Sequence, residues 1–367
     1  MGGVGPIVIA AGGTGGHTFP AQSLARELHS RGRDVVLVTD TRGEDYAKSF
    51  PGTAIERVRA ATFGSRNPIT ILKALNQIRL GMRDAKALFA RIKPEAVVGF
   101  GGYPSLPAML GAWRMKLPAI IHEQNAVPGR VNRLMVSRVS KIASSFPVLK
   151  GVAPERLIVT GNPVRENVVA ARAVPYAAPE TGGRIRLLVF GGSQGARIMS
   201  DIVPPAIAAL SADLRARLSV VQQARAEDVA RTKEIYAKAG VEAEVAAFFN
   251  DLPQRLSSAH LVISRSGAST VAELTCAGRP AILVPYPFAT DDHQTANASV
   301  LAEAGAALMV PQPQFLSAGL SSALSALLGN SARLSAMARA AHALGRPDAA
   351  KLLADAVLAL ADRGATP

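Results

Sequence analysis

The sequence predicts an α/β protein made of two doubly wound parallel sheets, and three observations carry that expectation. Twice, an apolar run passes into a glycine-rich turn and then a helical pattern: Ile7 to Ala11 into Gly12–His17, and Leu187 to Phe190 into Gly191–Ala196. Each half then continues with short, wholly apolar runs separated by longer amphipathic stretches, the signature of parallel strands covered on both faces. At 367 residues the chain exceeds what one core usually organises, so two domains are expected.

The elements follow in order. After the first glycine turn, Val35 to Val38, Ala96 to Phe100, Ala119 to His122 and Arg156 to Val159 read as strands. After the second, Ser219 to Gln222, Leu261 to Ser264 and Ala281 to Val284 do the same. Gly161-Asn162-Pro163 closes the first half, and Ala173 to Pro179, running on to Gly182-Gly183, reads as an exposed connector. The boundary is therefore placed at Pro163, giving domains 1–163 and 164–347. The helical spacing from Leu352 to Leu360 suits packing on either domain, and the helix at about 348–367 is assigned back to the first.

Composition narrows the function. Hydrophobic residues make up 49% of a chain with one cysteine, Cys276, which excludes an internal disulfide framework and fits a reducing compartment. Met1 to Pro6 lacks a basic leader region and no run suits a membrane span, so a cytoplasmic, non-integral protein is expected. The net charge of +14 calls for an acidic partner: nucleic acid, an anionic membrane surface or phosphorylated substrates. Aromatic residues at only 5%, with no nucleic-acid module, argue against the first. No Asp-x-Asp pair or histidine cluster calls for a metal or other cofactor; Asp291-Asp292-His293 is the grouping to check.

Glycines at the end of a strand let a backbone approach a ligand, and the amides opening the next helix favour a phosphate there. A third cluster, Gly99 to Ser105, follows another strand of the first half, so two glycine turns share one sheet edge there. Tight turning alone also accounts for such glycines. The nicotinamide fingerprint G-x-G-x-x-G is a rival reading, with Asp40 in the place of its ribose ligand. Its spacing fails at Thr18, and again at Ser193.

Six motifs in order resemble the MurG family: GGTGGH at Gly12–His17 followed by Phe19-Pro20; Gly99–Ser105; His122-Glu123-Gln124-Asn125; Gly161-Asn162-Pro163-Val164-Arg165; GGSQGAR at Gly191–Arg197; and Arg265-Ser266-Gly267-Ala268 through Glu273. Members are bacterial N-acetylglucosaminyltransferases that convert lipid I to lipid II in peptidoglycan synthesis. The resemblance runs from about residue 7 to about residue 350. It implies the GT-B architecture, two Rossmann-like domains facing across a cleft, with UDP-N-acetylglucosamine and lipid I as ligands.

The resemblance also distributes roles. Ser193 and Arg165 belong to the donor diphosphate, Glu273 to the ribose hydroxyls, Ala268, Ser269, Thr270, Val271 and Ala272 to the border of the nucleotide, and the Phe249 backbone to uracil. Thr14, Gly15 and Gly16 join this donor set, and Asn125, His293 and Gln294 take the sugar, as side chains that both donate and accept suit hydroxyls. Gly13, Gly101, Gly102 and Tyr103 fall to the acceptor diphosphate. His17 is the candidate base, with Glu123 in reserve; binding the acceptor diphosphate is the other role open to His17. Two departures stand out: His293 where some members carry a glutamine pair, and Val221–Arg225 where a histidine and a glycine are common. The expected reaction is direct, metal-independent displacement with inversion.

A peripheral position on the cytoplasmic face of the inner membrane follows from a lipid acceptor. From Ile71, the residues Leu75, Ile78, Met82, Ala85 and Phe89 keep helical spacing, with Arg66, Lys73, Arg79, Arg83, Lys86, Arg91 and Lys93 beside them. Such a segment suits an anionic interface, with Trp113-Arg114 as an extension; packing one face on the sheet is the plainer reading. A nicotinamide oxidoreductase or a non-catalytic nucleotide-sugar binder would be the other functions.

Overall fold

Seven parallel strands form the first sheet, and the four at its centre are buried at every residue. In this computed structural model, which describes residues 5–13, 15–40, 49–62, 67–192 and 195–364, the chain divides into two units. Unit 1 comprises Met1–Arg165 with Asp348–Pro367, and unit 2 comprises Glu166–Pro347.

Unit 1 runs β1 (Ile7–Ala10), α1 (Gly15–Ser30), β2 (Val35–Asp40), β3 (Ala54–Val58), α2 (Pro68–Ile92), β4 (Ala96–Gly99), α3 (Gly102–Arg114), β5 (Ala119–Glu123), α4 (Arg130–Met135), β6 (Lys141–Ser144) and β7 (Leu157–Val159). The strand order is β3-β2-β1-β4-β5-β6-β7. The direction of winding thus reverses between β1 and β4, which pair in register from Ile7 with Ala96 to Ala10 with Gly99.

Unit 2 repeats the plan with α5 (Glu166–Ala171), β8 (Ile185–Phe190), α6 (Arg197–Ala208), α7 (Ala212–Arg217), β9 (Leu218–Gln223), α8 (Val229–Lys238), β10 (Glu242–Ala246), α9 (Leu252–Ser258), β11 (Leu261–Ser264), α10 (Ala268–Ala277), β12 (Ala281–Leu283), α11 (His293–Glu303), β13 (Ala307–Met309), α12 (Ser317–Leu328) and α13 (Ser331–Leu344). Its order, β10-β9-β8-β11-β12-β13, reverses between β8 and β11. A last helix, α14 (Ala349–Gly364), belongs to unit 1, where Leu353, Ala354, Val357 and Ala361 pack with Leu24, Leu28 and Ile7. Fully burying a side chain the size of Leu353 or Val357 contributes about 1.5–3 kcal/mol.

The amphipathic segment is a helix, α2, but its faces differ from the reading by spacing. Asn67 caps it, its side chain accepting from the Ile69 amide at 2.9 Å, and Pro68 occupies the first turn, where no partner for its nitrogen is needed. Ile78, Ala85 and Phe89 are buried in the core between sheet and helix rather than offered outward. Periodicity reveals that a stripe exists but not what covers it. The exposed apolar side chains are Ile69, Ile71, Leu72 and Leu75, confined to the first two turns.

Candidate active site

In an open parallel sheet the loops diverge at the point where winding reverses, leaving a crevice at the carboxyl ends of the strands. In unit 1 that point lies beyond Ala10 and Gly99, so the turns after β1 and β4 are neighbours. Gly12 lies close under the second turn: a Cβ there would stand 2.9 Å from Pro104 and 2.6 Å from the Thr39 hydroxyl. Gly101 and Gly102 open α3 with φ of +81° and +71°, a conformation side chains resist. A Cβ at Gly102 would come within 3.2 Å of the His17 ring, so the glycine also makes room for the imidazole.

His17 is half-buried in the first turn of α1, with Nδ1 3.2 Å from Gln124 Oε1. Gln124 follows β5 and is 1% exposed. Its Nε2 lies 3.0 Å from the Phe100 carbonyl, 3.1 Å from the His122 carbonyl and 3.1 Å from His122 Nδ1. His122 is fully buried, and its Nε2 is 2.9 Å from the Gly161 carbonyl. Burial pushes its pKa down to about 4, and nearby His17 pushes in the same direction.

Glu123 has both carboxylate oxygens engaged by the segment that follows it. Its Oε1 accepts from the Asn125 backbone amide at 3.0 Å and from Asn125 Nδ2 at 3.3 Å. Its Oε2 accepts from the Gly129 amide at 2.9 Å and Asn132 Nδ2 at 2.8 Å. Four donors on one carboxylate that is 1% exposed fasten the loop between β5 and α4. Arg165 belongs to unit 1, its guanidinium 4.8 Å from the Phe19 ring centroid, and Ser23 Oγ donates to the Val164 carbonyl at 3.0 Å. Asn125, Gly15, Gly16 and Arg165, expected at the donor, are thus unit 1 residues gathered near His17 in the chain or in space.

In unit 2 the reversal lies beyond Phe190 and Ser264, which are register partners. A Cβ on Gly191 would stand 2.4 Å from the Ala196 amide, so the turn back to α6 closes only over glycine. Gln223 joins this turn to the next loop: Oε1 accepts from the Gly191 amide at 3.3 Å, and Nε2 donates to the Ala247 carbonyl at 3.3 Å. That loop carries Phe249, with the Arg255 guanidinium 4.4 Å from its ring centroid. In the departing segment, Arg225 lies against Gly195 and pairs with Asp228 and Glu227.

The turn after β11 leads through Gly267 into α10, whose start has no side-chain cap. Ser269 and Glu273 are four residues apart and share a helix face. Ser269 Oγ is buried with no hydrogen-bond partner among the described residues, and Glu273 is 8% exposed. Gln294 Oε1 accepts from the Ser266 amide at 3.3 Å and the Tyr286 amide at 3.0 Å, which orients Nε2 away from both. Asn297 Nδ2 donates to the Ser266 carbonyl at 3.1 Å. Arg265 donates to the Val284 and Pro285 carbonyls and to Gln312 Oε1, and so fixes the loop ends around the turn. His293 Nδ1 donates to the Thr290 carbonyl at 2.8 Å, directly after Asp291 and Asp292, both at φ +52°.

Thr14, Ser193 and Arg66 lie outside the described residues. Among the described residues no three His, Cys, Asp or Glu side chains are grouped as metal ligands, and no helix is long and apolar enough to cross a membrane. A cavity of about 400 Å³ lined by Arg172, Tyr176, Arg339 and His342 lies at the far end of α10, where Arg172 serves the Cys276 and His342 carbonyls. Gln124, Gln223 and Asn297 are organising residues to which motif reading assigned no role, because each acts on a loop brought alongside by the sheet.

Two Rossmann-like sheets with glycine turns at their reversal points give the GT-B fold, and the family matches make the class a glycosyltransferase. Residues 7–144 match the glycosyltransferase family 28 N-terminal domain and residues 186–353 the family 28 C-terminal domain. A protein of Mesorhizobium japonicum called UDP-N-acetylglucosamine–N-acetylmuramyl-(pentapeptide) pyrophosphoryl-undecaprenol N-acetylglucosamine transferase is 53% identical, over 98% of this chain and 96% of its own length. One of the same name from Rhodospirillum centenum is also 53% identical, over 98% and 95%. The crystal structure of Acinetobacter baumannii MurG superposes with a TM-score of 0.81 at 30% identity, covering 97% of this chain and 99% of that one. The chain belongs to glycosyltransferase family 28 and, within it, to the family of these N-acetylglucosamine transferases.

Proposed function

We propose that this protein transfers N-acetylglucosamine from its UDP conjugate to lipid I, giving lipid II. The observation that carries the assignment is the 53% identity sustained over nearly the whole of both chains. The nicotinamide reading is not favoured: Thr18 breaks the fingerprint, and Asp40, its ribose ligand, is 1% exposed. In the reaction, the C4 hydroxyl oxygen of the muramyl sugar bonds to the anomeric carbon, the bond from that carbon to the UDP oxygen breaks, and the hydroxyl proton passes to a base. Configuration inverts, and negative charge collects on the leaving diphosphate.

The groups at the glycine turns suit these demands. His17, between two such turns at a helix start, takes the proton through Nε2. The amides opening α6 and α10 and the Ser269 hydroxyl serve the donor phosphates, Glu273 the ribose and Gln294 Nε2 a sugar oxygen. Transfer of labelled N-acetylglucosamine to a soluble lipid I analogue tests the assignment. His17→Ala is expected to lower kcat by about 10²-fold or more; full turnover in that variant would remove His17 as the base.

The acceptor also sets a location. Helices α2 and α3 run side by side in the same direction, with Gly81 against Pro107 and Ala85 against Gly111. The start of α2 therefore lies toward the end of unit 1 where α3 begins, about 12 Å beyond the first turn of α3. Ile69, Ile71, Leu72 and Leu75, with Lys73 exposed among them, are read as the surface that meets an anionic membrane. Trp113 is about 16 Å farther along α3 and is not part of that patch.

A further inference from the structure

We propose that Gln124, held by Phe100 and by His122, which the Gly161 carbonyl orients, is the positioning residue that keeps the His17 proton on Nδ1 and so presents the Nε2 lone pair for catalysis. The inference rests on the reading of His17 as the base and names what prepares it.

At the buried end of the chain of contacts stands the Gly161 carbonyl. A carbonyl oxygen only accepts, so His122 Nε2, 2.9 Å from it, carries a hydrogen. With its pKa pushed down to about 4, the His122 ring is neutral at physiological pH, and its Nδ1 is a bare acceptor. Gln124 must then turn its NH2 end toward His122. The Phe100 carbonyl at 3.0 Å and the His122 carbonyl at 3.1 Å require the same orientation, since an amide oxygen there would face two others. All three acceptors call for the same orientation, and the two amide hydrogens are shared among them.

That choice fixes the other end. Gln124 Oε1 faces His17 Nδ1 at 3.2 Å and only accepts, so Nδ1 must donate. In the neutral imidazole, the proton on Nδ1 leaves the lone pair on Nε2. The Nε2 edge of the ring borders Gly102, where an added Cβ would stand 3.4 Å from Nε2 and 3.2 Å from Cδ2. The lone pair thus sits where the backbone of the second glycine turn carries no side chain. Holding the correct tautomer through a third group is how a histidine base is prepared elsewhere, with a carboxylate in that place. An amide does the same without a charge that would hold the imidazolium.

Histidine-selective 15N labelling and long-range 1H–15N spectra at pH 7.5 read the tautomer directly, with the His17 signals assigned by their loss in His17→Ala. The wild-type ring is expected to show a protonated Nδ1 and a bare Nε2. Gln124→Met, of similar volume but without the amide acceptor, is expected to move the ring toward the Nε2-protonated form. It should lower kcat by roughly tenfold or more while the KM for UDP-N-acetylglucosamine stays within about twofold. Gln124→Glu keeps an acceptor toward His17 and should keep Nδ1 protonated. A wild-type ring protonated on Nε2 alone, or a Gln124→Met variant unchanged in spectrum or in kcat, would overturn the proposal. Because the wild-type spectrum needs no substrate, and its assignment needs only that His17→Ala folds, it decides the relay even if His17→Ala retains turnover and the base reading falls.

Discussion

At the scale of single residues, each half of the chain places proposed site residues in the first turns of helices that follow glycines. Glu273 and Ser269 share a face of α10, and both are withdrawn from solvent in a segment assigned to the nucleotide, the serine at its hydroxyl oxygen and the glutamate over its whole length. A hydrogen bond to a charged group contributes about 1.5–3 kcal/mol. Glu273→Ala is therefore expected to raise the KM for UDP-N-acetylglucosamine by roughly tenfold to a hundredfold, with Glu273→Gln in between. Initial-rate kinetics at fixed acceptor decide it, and an unchanged KM would remove Glu273 from the donor site. His17 and Glu273 could be proposed from the sequence because glycines precede them in their motifs. The role of Gln124 could not, because its partners, Phe100 and His17, lie after other strands, and the pairings of β1 with β4 and of β4 with β5 bring them together. For Glu123 the motif showed a carboxylate but not the four donors the fold sets on it.

Among the elements, strands built around a compact apolar run were readable, and β3, β6, β10 and β13 were not. The outer strands β3 and β10 carry Glu56 and Arg57, and Glu242 and Glu244, because one edge and part of a face meet water. β6 opens on Lys141, and β13 is three residues long. Helix α2 combines two jobs along its length, core packing from Ile78 onward and an exposed apolar start. Leu72 is 69% exposed and has no core to leave, so Leu72→Glu with Leu75→Glu should preserve folding and turnover on a soluble acceptor while weakening binding to vesicles rich in anionic lipid. Arg79, Arg83 and Lys86 changed to glutamate should do likewise, through charge and with strong salt dependence. Vesicle sedimentation reads both sets, and binding equal to wild type would reject the surface.

For the whole molecule, each unit contains a histidine that burial holds neutral: His122 in unit 1 and His260 in unit 2, both with pKa pushed down to about 4. Unfolding releases each to an ordinary value near 6.5. Between pH 6.5 and about 4 the unfolded chain therefore binds protons that the folded chain does not, and unfolding free energy falls as pH falls through that window. Each tenfold loss of proton affinity is worth about 1.4 kcal/mol, so His122 alone accounts for about 3 kcal/mol by the lower end of the window. The depressed carboxyls of Asp84, Asp228 and Asp251 lose their contribution only below the ordinary aspartate range, so the two windows separate. Urea midpoints should be level above pH 6.5 and decline below it; a flat profile down to about pH 4.5 would contradict this.

The return of α14 to unit 1 bears on how the protein is made. Leu353, Ala354, Val357 and Ala361 cover the face of the sheet on which Leu24 and Leu28 lie, yet they leave the ribosome only after all of unit 2 has been translated. The unit that is synthesised first is thus the one completed last, its apolar face waiting through the translation of its neighbour for a cover supplied afterwards. Chains halted before Leu353 would carry a finished second unit and an open first one, the species most exposed to aggregation and to proteases.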